Sequence, residues 1–242
     1  MSEQASAENP ITAVLEATQR YLSTVARLTE EQLREPSVLP GWTRAHVVAH
    51  VALNAHGFAG ALRGLRTGTP TPVYASDEQR DADIEAYAAA SLEQLQAFTQ
   101  MQCLRMAGEL NMLKAVGSVE RTPGGPVLSV VDVVELRWRE VEIHHADLAA
   151  DLAPGYSPAD WPATFAAYLV EEAAWDRGEE FAATLHAQDI GKTFRVGAGG
   201  HGIAGTAGAL AWWLVGRGAG EDLVAIRGLP ELGPWKRRPR EA

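Results

Sequence analysis

Apolar positions recur at helical spacing through most of the first 150 residues. Ile11, Val14, Leu15, Tyr21 and Leu22 predict a helix from about Pro10 to Leu28. Thr29-Glu30-Glu31-Gln32 reads as a capping sequence opening a short helical turn. Pro36 to Trp42 is a loop punctuated by two prolines and a glycine. Thr43 then stands as an N-cap for a helix over about Arg44 to Leu65, whose apolar stripe includes Val47, Val51 and Phe58. Ser76 and Gln79 form a second capping pair before a long helix from Asp77 to about Gln102, with residues 101–116 continuing it or forming a segment of their own. Residues Arg121 to Pro126 are a turn, and a further helix runs from Ser129 to Ala150. Four main helices in this span suit a bundle with its site in the core.

The texture changes after Ala153-Pro154-Gly155-Tyr156, the expected boundary between residues 1–153 and 154–242. Ser157 and Pro158 open a helix to about Trp175. Three short segments, residues 181–185, 192–196 and 223–226, have strand character, and Gly205 to Val215 has helical character. The chain is therefore expected to be mainly α, a four-helix bundle followed by a small α+β domain.

With 242 residues and 46% apolar content, the chain is long enough for a sizeable core. A net charge of −10 argues against nucleic acid and anionic membranes as partners. The basic run Lys236 to Arg240 at the C-terminus reads as a solvated tail. One cysteine, Cys103, allows no intrachain disulfide and fits a reducing cytoplasm. No apolar run reaches the roughly 18–20 residues of a membrane span, and the polar N-terminus lacks the features of a signal peptide.

The chemistry concentrates in Arg137-Trp138-Arg139-Glu140-Val141-Glu142-Ile143-His144-His145-Ala146-Asp147-Leu148. Glu140 and His144 share a helix face one turn apart, about 5–6 Å at Cβ, which is how a helix offers two ligands to one divalent cation. The same spacing also suits a plain solvated pair. His145 points about 100° away around the helix, so His144 and His145 cannot both face one metal. Glu142 is expected at the surface. A third ligand can come from the helix after Thr43, where His46, His50 and Asn54 fall on one face; spacing alone does not choose between His46 and His50, or between His144 and His145. Two nitrogens and one carboxylate leave the fourth position of a tetrahedral Zn²⁺ open, the catalytic pattern. Asp147, three residues past His144, either orients a metal-bound imidazole or sits in a solvated turn at the helix end. Cys103, late in its helix, reads as a buried structural thiol, and His186 and His201 as surface residues.

Two stretches, Leu39-Pro40-Gly41-Trp42-Thr43-Arg44-Ala45-His46-Val47-Val48-Ala49-His50 and Arg137 to Leu148, together resemble the mycothiol-dependent maleylpyruvate isomerase family. The resemblance covers nearly the whole chain. It implies a DinB-like four-helix bundle and a small C-terminal domain, with His50, Glu140 and His144 as metal ligands. It also implies Zn²⁺ and mycothiol as cofactors, and Arg217 in Trp213-Leu214-Val215-Gly216-Arg217 as a catalytic arginine gripping a carboxylate of the substrate. The implied reaction is cis–trans isomerisation of maleylpyruvate to fumarylpyruvate. A metal-activated thiolate adds to the double bond, the resulting single bond rotates, and elimination restores the alkene. The implied partners are a small dicarboxylate and a low-molecular-weight thiol. The same ligand set also suits a mycothiol S-transferase, a metal-dependent hydrolase or a non-catalytic zinc sensor.

Overall fold

The structure is a computed structural model that describes residues 9–113, 116–149 and 151–236. The expected frayed start over residues 1–8, most of the C-terminal basic run (237–240) and residues 114, 115 and 150 lie outside them. The contacts divide the chain at 149/150 into two compact units. Among the described residues no helix is long and apolar enough to cross a membrane.

In the first unit, α1 spans Pro10–Val25, capped by the Asn9 side chain, and α2 spans Glu30–Arg34 behind the expected Thr29/Gln32 capping box. Helix α3 (Arg44–Thr67) is the hub. It packs against α2 and against the later helices α4 (Asp77–Ala88), α5 (Leu92–Asn111) and α6 (Val130–Ala149). It is buried nearly all round. Helix α1 packs on α5 and α6, and α3 packs on the same two, so α1, α5, α3 and α6 close a four-helix bundle. The chain is mainly α, as its patterning predicts.

The long helix expected from Asp77 to Gln102 is instead two. Ala89 ends α4, and Ser91 starts α5 with a capping box in which its hydroxyl accepts from the Gln94 N–H at 3.3 Å. Helix α2 reinforces the break. The Arg34 guanidinium donates to the Ala88 and Ala90 carbonyls, and Glu30 accepts from the Leu92 N–H at 2.8 Å. The expected 121–126 turn joins a hairpin that the patterning did not reveal, β1 (Ser118–Glu120) paired antiparallel with β2 (Val127–Ser129).

The backbone at Val73 and Tyr74 is held by the end of this hairpin. Their N–H groups donate to the carbonyls of Glu120 and Arg121, both at 2.9 Å. The same segment runs flat along α3. A Cβ at Gly57 would lie 2.5 Å from the Val73 carbonyl oxygen, and one at Gly64 would lie 2.5 Å from that of Thr69.

In the second unit, Ser157 and Pro158 open only a 3₁₀ turn, Pro158–Asp160, before α7 begins at Ala163 and runs to Asp176. Strands β3 (Ala183–Ala187), β4 (Lys192–Val196), β5 (Gly202–Gly205) and β6 (Val224–Ala225) form one mixed sheet in the order β4-β3-β5-β6. The β3–β5 pair is parallel. Helices α7 and α8 (Ala207–Leu214) pack on each other and on the sheet, covering the inward Ala183, Leu185 and Ala187 of β3. The fully buried Arg177 donates to the carbonyls of Leu214 and Gly233, which ties α7 to the turn after α8 and to the chain beyond the sheet.

Candidate metal centre

Helix α3 brings His50 to the bundle interior in its second turn, and α6 brings Glu140 and His144 to the same place. The His50 Nε2 lies 2.7 Å from Glu140 Oε2, and His144 Nε2 lies 3.4 Å from the same oxygen. The two imidazole rings stand edge to face, 4.7 Å between centroids and 86° between planes. One donor atom from each residue falls within 4.8 Å of the others. His50 is 5% exposed, while Glu140 keeps a quarter of its side chain open to solvent, so the cluster has a buried floor and an accessible side.

The cluster's electrostatics follow from this packing. Burial on its own would raise the Glu140 carboxyl, but the charge of His50 and the hydrogen bonds from His144 and His50 outweigh it and hold the group well below the usual carboxylate range. Burial likewise opposes charge on His144. Its hydrogen bonds to Asp147 and Glu140 prevail and raise it to about 9. Burial lowers His50, partly countered by Glu140. Among these three side chains, then, Glu140 is the anion and His144 carries the proton.

The donor set fits a divalent cation. Ligand atoms about 2.0–2.2 Å from a tetrahedral zinc stand roughly 3.4 Å from one another; the His144–Glu140 spacing matches this, and the shorter His50–Glu140 contact would open to admit an ion. A ligating imidazole also needs its other nitrogen engaged as a donor. Asp147 meets that need for His144. Its fully buried Oδ2 lies 2.8 Å from Nδ1, leaving Nε2 for the cluster.

The structure also separates the histidines that spacing left equivalent. His46 serves the start of α3, its Nδ1 2.7 Å from the Thr43 hydroxyl and 3.2 Å from the Thr43 N–H, while its Nε2 reaches the exposed Glu85 at 3.3 Å. His145 is buried against α1, 2.8 Å from the Thr24 hydroxyl and edge-on to Tyr21. Glu142, expected at the surface, is instead fully buried and accepts from Arg20 of α1 at 2.6 Å. Periodicity places it off the metal face but does not reveal that α1 covers that flank. Cys103 is buried, 3.4 Å from Arg137 Nη2, and its burial pushes the thiol up. His186 is exposed and His201 half-buried, both in the second unit. Arg217 also lies in the second unit, half-buried in the turn after α8, with its N–H donating to the Trp212 carbonyl at 3.0 Å.

Three residues beside the cluster were not singled out by the sequence. The Trp42 indole stands edge-on to His50, 5.6 Å between ring centroids. Arg80 of α4 brings Nη2 to 3.3 Å from His50 Nδ1. Tyr74 carries the Arg80 guanidinium 5.8 Å from its ring centroid. A lone Arg or Tyr in a loop–helix junction has no periodic signature. The Gly-Trp-Thr motif was the available signal for Trp42.

Fold and donor set together define a helical-bundle protein with a candidate metal centre of two histidines and one carboxylate. A sequence model described as the mycothiol maleylpyruvate isomerase N-terminal domain matches residues 14–149, more than half of the chain. The chain belongs to the mycothiol maleylpyruvate isomerase family. Among solved structures, the crystal structure of a mycothiol-dependent maleylpyruvate isomerase matches with a TM-score of 0.82 at 23% identity, covering 93% of this chain and 95% of that one. A point mutant of a mycothiol-dependent maleylpyruvate isomerase matches with the same TM-score and coverage at 22% identity. At these identities the likeness establishes the shared fold. No curated protein matches the chain.

Proposed function

We propose that this chain is a zinc- and mycothiol-dependent cis–trans isomerase that converts maleylpyruvate to fumarylpyruvate. The observation that carries the reading is the convergence of His50, Glu140 and His144 in a bundle of this family. These three side chains would hold the ion. A zinc ion with an open position would supply the means to keep a thiol deprotonated near neutral pH.

The protein's own residues then divide the work. Asp147 fixes the His144 tautomer from a fully buried position. Glu140, held ionised, contributes the negative charge that offsets the cation. Trp42 stands edge-on against one side of His50. Arg217, as the family resemblance suggests, would grip a substrate carboxylate through its planar, two-pronged guanidinium.

The test is metal content beside turnover. His50→Ala and Glu140→Ala should each lose stoichiometric zinc and isomerase activity; zinc retained in full by both variants would refute the ligand set. Arg217→Ala should keep its zinc and lose turnover, and unchanged kinetics would remove Arg217 from the reaction. Build-up of a mycothiol–substrate conjugate in place of fumarylpyruvate would reassign the chain as an S-transferase.

A further inference from the structure

The approach of Arg80 to His50 is chemically odd. A guanidinium has only donors to offer, so at 3.3 Å it needs His50 Nδ1 as an acceptor. Yet His50 Nε2 is the nitrogen that faces Glu140 at 2.7 Å. An imidazole that gives the Nε2 lone pair to a cation must carry its hydrogen on Nδ1. Nδ1–H and the guanidinium N–H would then be two donors pointed at each other. A metal-loaded site therefore deprives Arg80 of this acceptor.

What remains is a cation in want of an anion. The Arg80 side chain is about a quarter exposed, and it forms an ion pair with Asp81, its own sequence neighbour, which is mostly exposed to solvent. Such a pair is weak and readily exchanged. Arg80 is nonetheless not free to wander. Its guanidinium lies over the Tyr74 ring, and a second guanidinium, that of Arg121, lies 5.4 Å from the same centroid. Arg121 is tied in turn to Asp77 at 2.6 Å.

The Tyr74 ring is itself anchored. Its hydroxyl accepts from Asn54 Nδ2 at 3.4 Å, and Asn54 Oδ1 accepts from the fully buried Arg137 at 2.7 Å. Burial raises the Tyr74 phenol and the charge of Glu140 raises it further, which places this hydroxyl within the electrostatic reach of the cluster. A chain of contacts thus runs from the bundle core through Asn54 and Tyr74 to a guanidinium poised beside His50.

Resting on the reading of the site given above, we infer that Arg80 is a substrate-binding residue: it takes a carboxylate of the dicarboxylate substrate in the metal-loaded site, on the α4 side of His50, with Tyr74 as its positioning residue. A substrate with two carboxylates has use for a second guanidinium, and Arg80 offers one within the unit that carries the metal donors. Bidentate pairing with a carboxylate suits the planar head of Arg80.

The experiment compares Arg80→Ala, Arg80→Lys and wild type as full-length zinc-loaded proteins. Zinc stoichiometry is measured by elemental analysis and zinc affinity by chelator competition. Binding of maleate without mycothiol is followed by calorimetry, and KM and kcat are measured for maleylpyruvate. Arg80→Ala should keep its zinc, with affinity equal or tighter because a facing cation is gone. Its maleate Kd and its KM should rise together by roughly 10- to 100-fold, the worth of a charge-assisted hydrogen bond. Arg80→Lys should recover part of this, and Tyr74→Phe, which keeps the ring, should lose less than Tyr74→Leu. Maleate Kd and KM within twofold of wild type in zinc-loaded Arg80→Ala would overturn the assignment and leave the zinc site standing. A wild-type protein that binds no zinc at His50, Glu140 and His144 overturns the functional reading instead.

Discussion

Asp147 decides which nitrogen of His144 faces the cluster, and the proton on that nitrogen must leave before a cation can enter. His144 is raised to about 9, burial opposing its charge and the hydrogen bonds to Asp147 and Glu140 outweighing burial. Glu140 is held ionised far below neutrality and adds no pH dependence of its own there. The sign follows. Below pH 9 each unit of acidity costs zinc up to about a factor of ten, so zinc affinity should climb from pH 6 and level off near pH 9. Chelator competition at constant ionic strength measures this, and a flat profile over that range contradicts the protonated His144. At this scale the i,i+4 pair is legible in the residues, but not the choice between His46 and His50. That choice depends on the contact between His46 and Thr43 at the start of α3, and a cap that uses an imidazole is not part of the usual capping vocabulary.

Helices were legible where their apolar stripe is long and their caps are ordinary. The Thr29/Gln32 capping box and the bounds of α3 follow from the residues themselves. The break between α4 and α5 does not stand out, because Ala88-Ala89-Ala90 continues a helical composition through it and the restraint comes from Arg34 and Glu30 about 55 to 60 residues upstream. Strands β1, β2 and β5 were missed because three or four residues carry too little alternation to read. The Ser91 cap makes the break testable. Ser91→Ala removes the acceptor for the Gln94 N–H and should cost about 1 kcal/mol in urea unfolding. A loss near zero would mean that the clamp from α2 sets the break without the cap.

Over the whole molecule, the donors sit on helices 90 residues apart in sequence, on α3 and α6, which pack face to face. A cation binding both cross-links the bundle and stabilises the native state by mass action. At a hundredfold excess over its Kd that is about 2.7 kcal/mol, or roughly 5–10 °C in Tm for a chain of this size. Thermal unfolding with zinc and with chelator measures the difference, and His50→Ala should abolish it; an equal shift in that variant would place the stabilising ion elsewhere. The mainly α character was plain from the stripes of the first 150 residues. The mixed sheet was not, because its parallel β3–β5 pair depends on a crossover that local pattern does not encode.

The glycine floor beneath the 68–75 segment makes that segment sensitive to any side chain added below it. The donors of the cluster ride on the rigid α3–α6 pair, whereas Tyr74 rides on a segment laid directly on Gly57 and Gly64, with no room for a methyl group at either. A methyl at Gly57 would push on Val73 and so on its neighbour Tyr74, without touching His50, Glu140 or His144. On the proposed reading, a side chain added under the segment would reshape the Tyr74 and Arg80 side of the site while leaving the three donor side chains where they are.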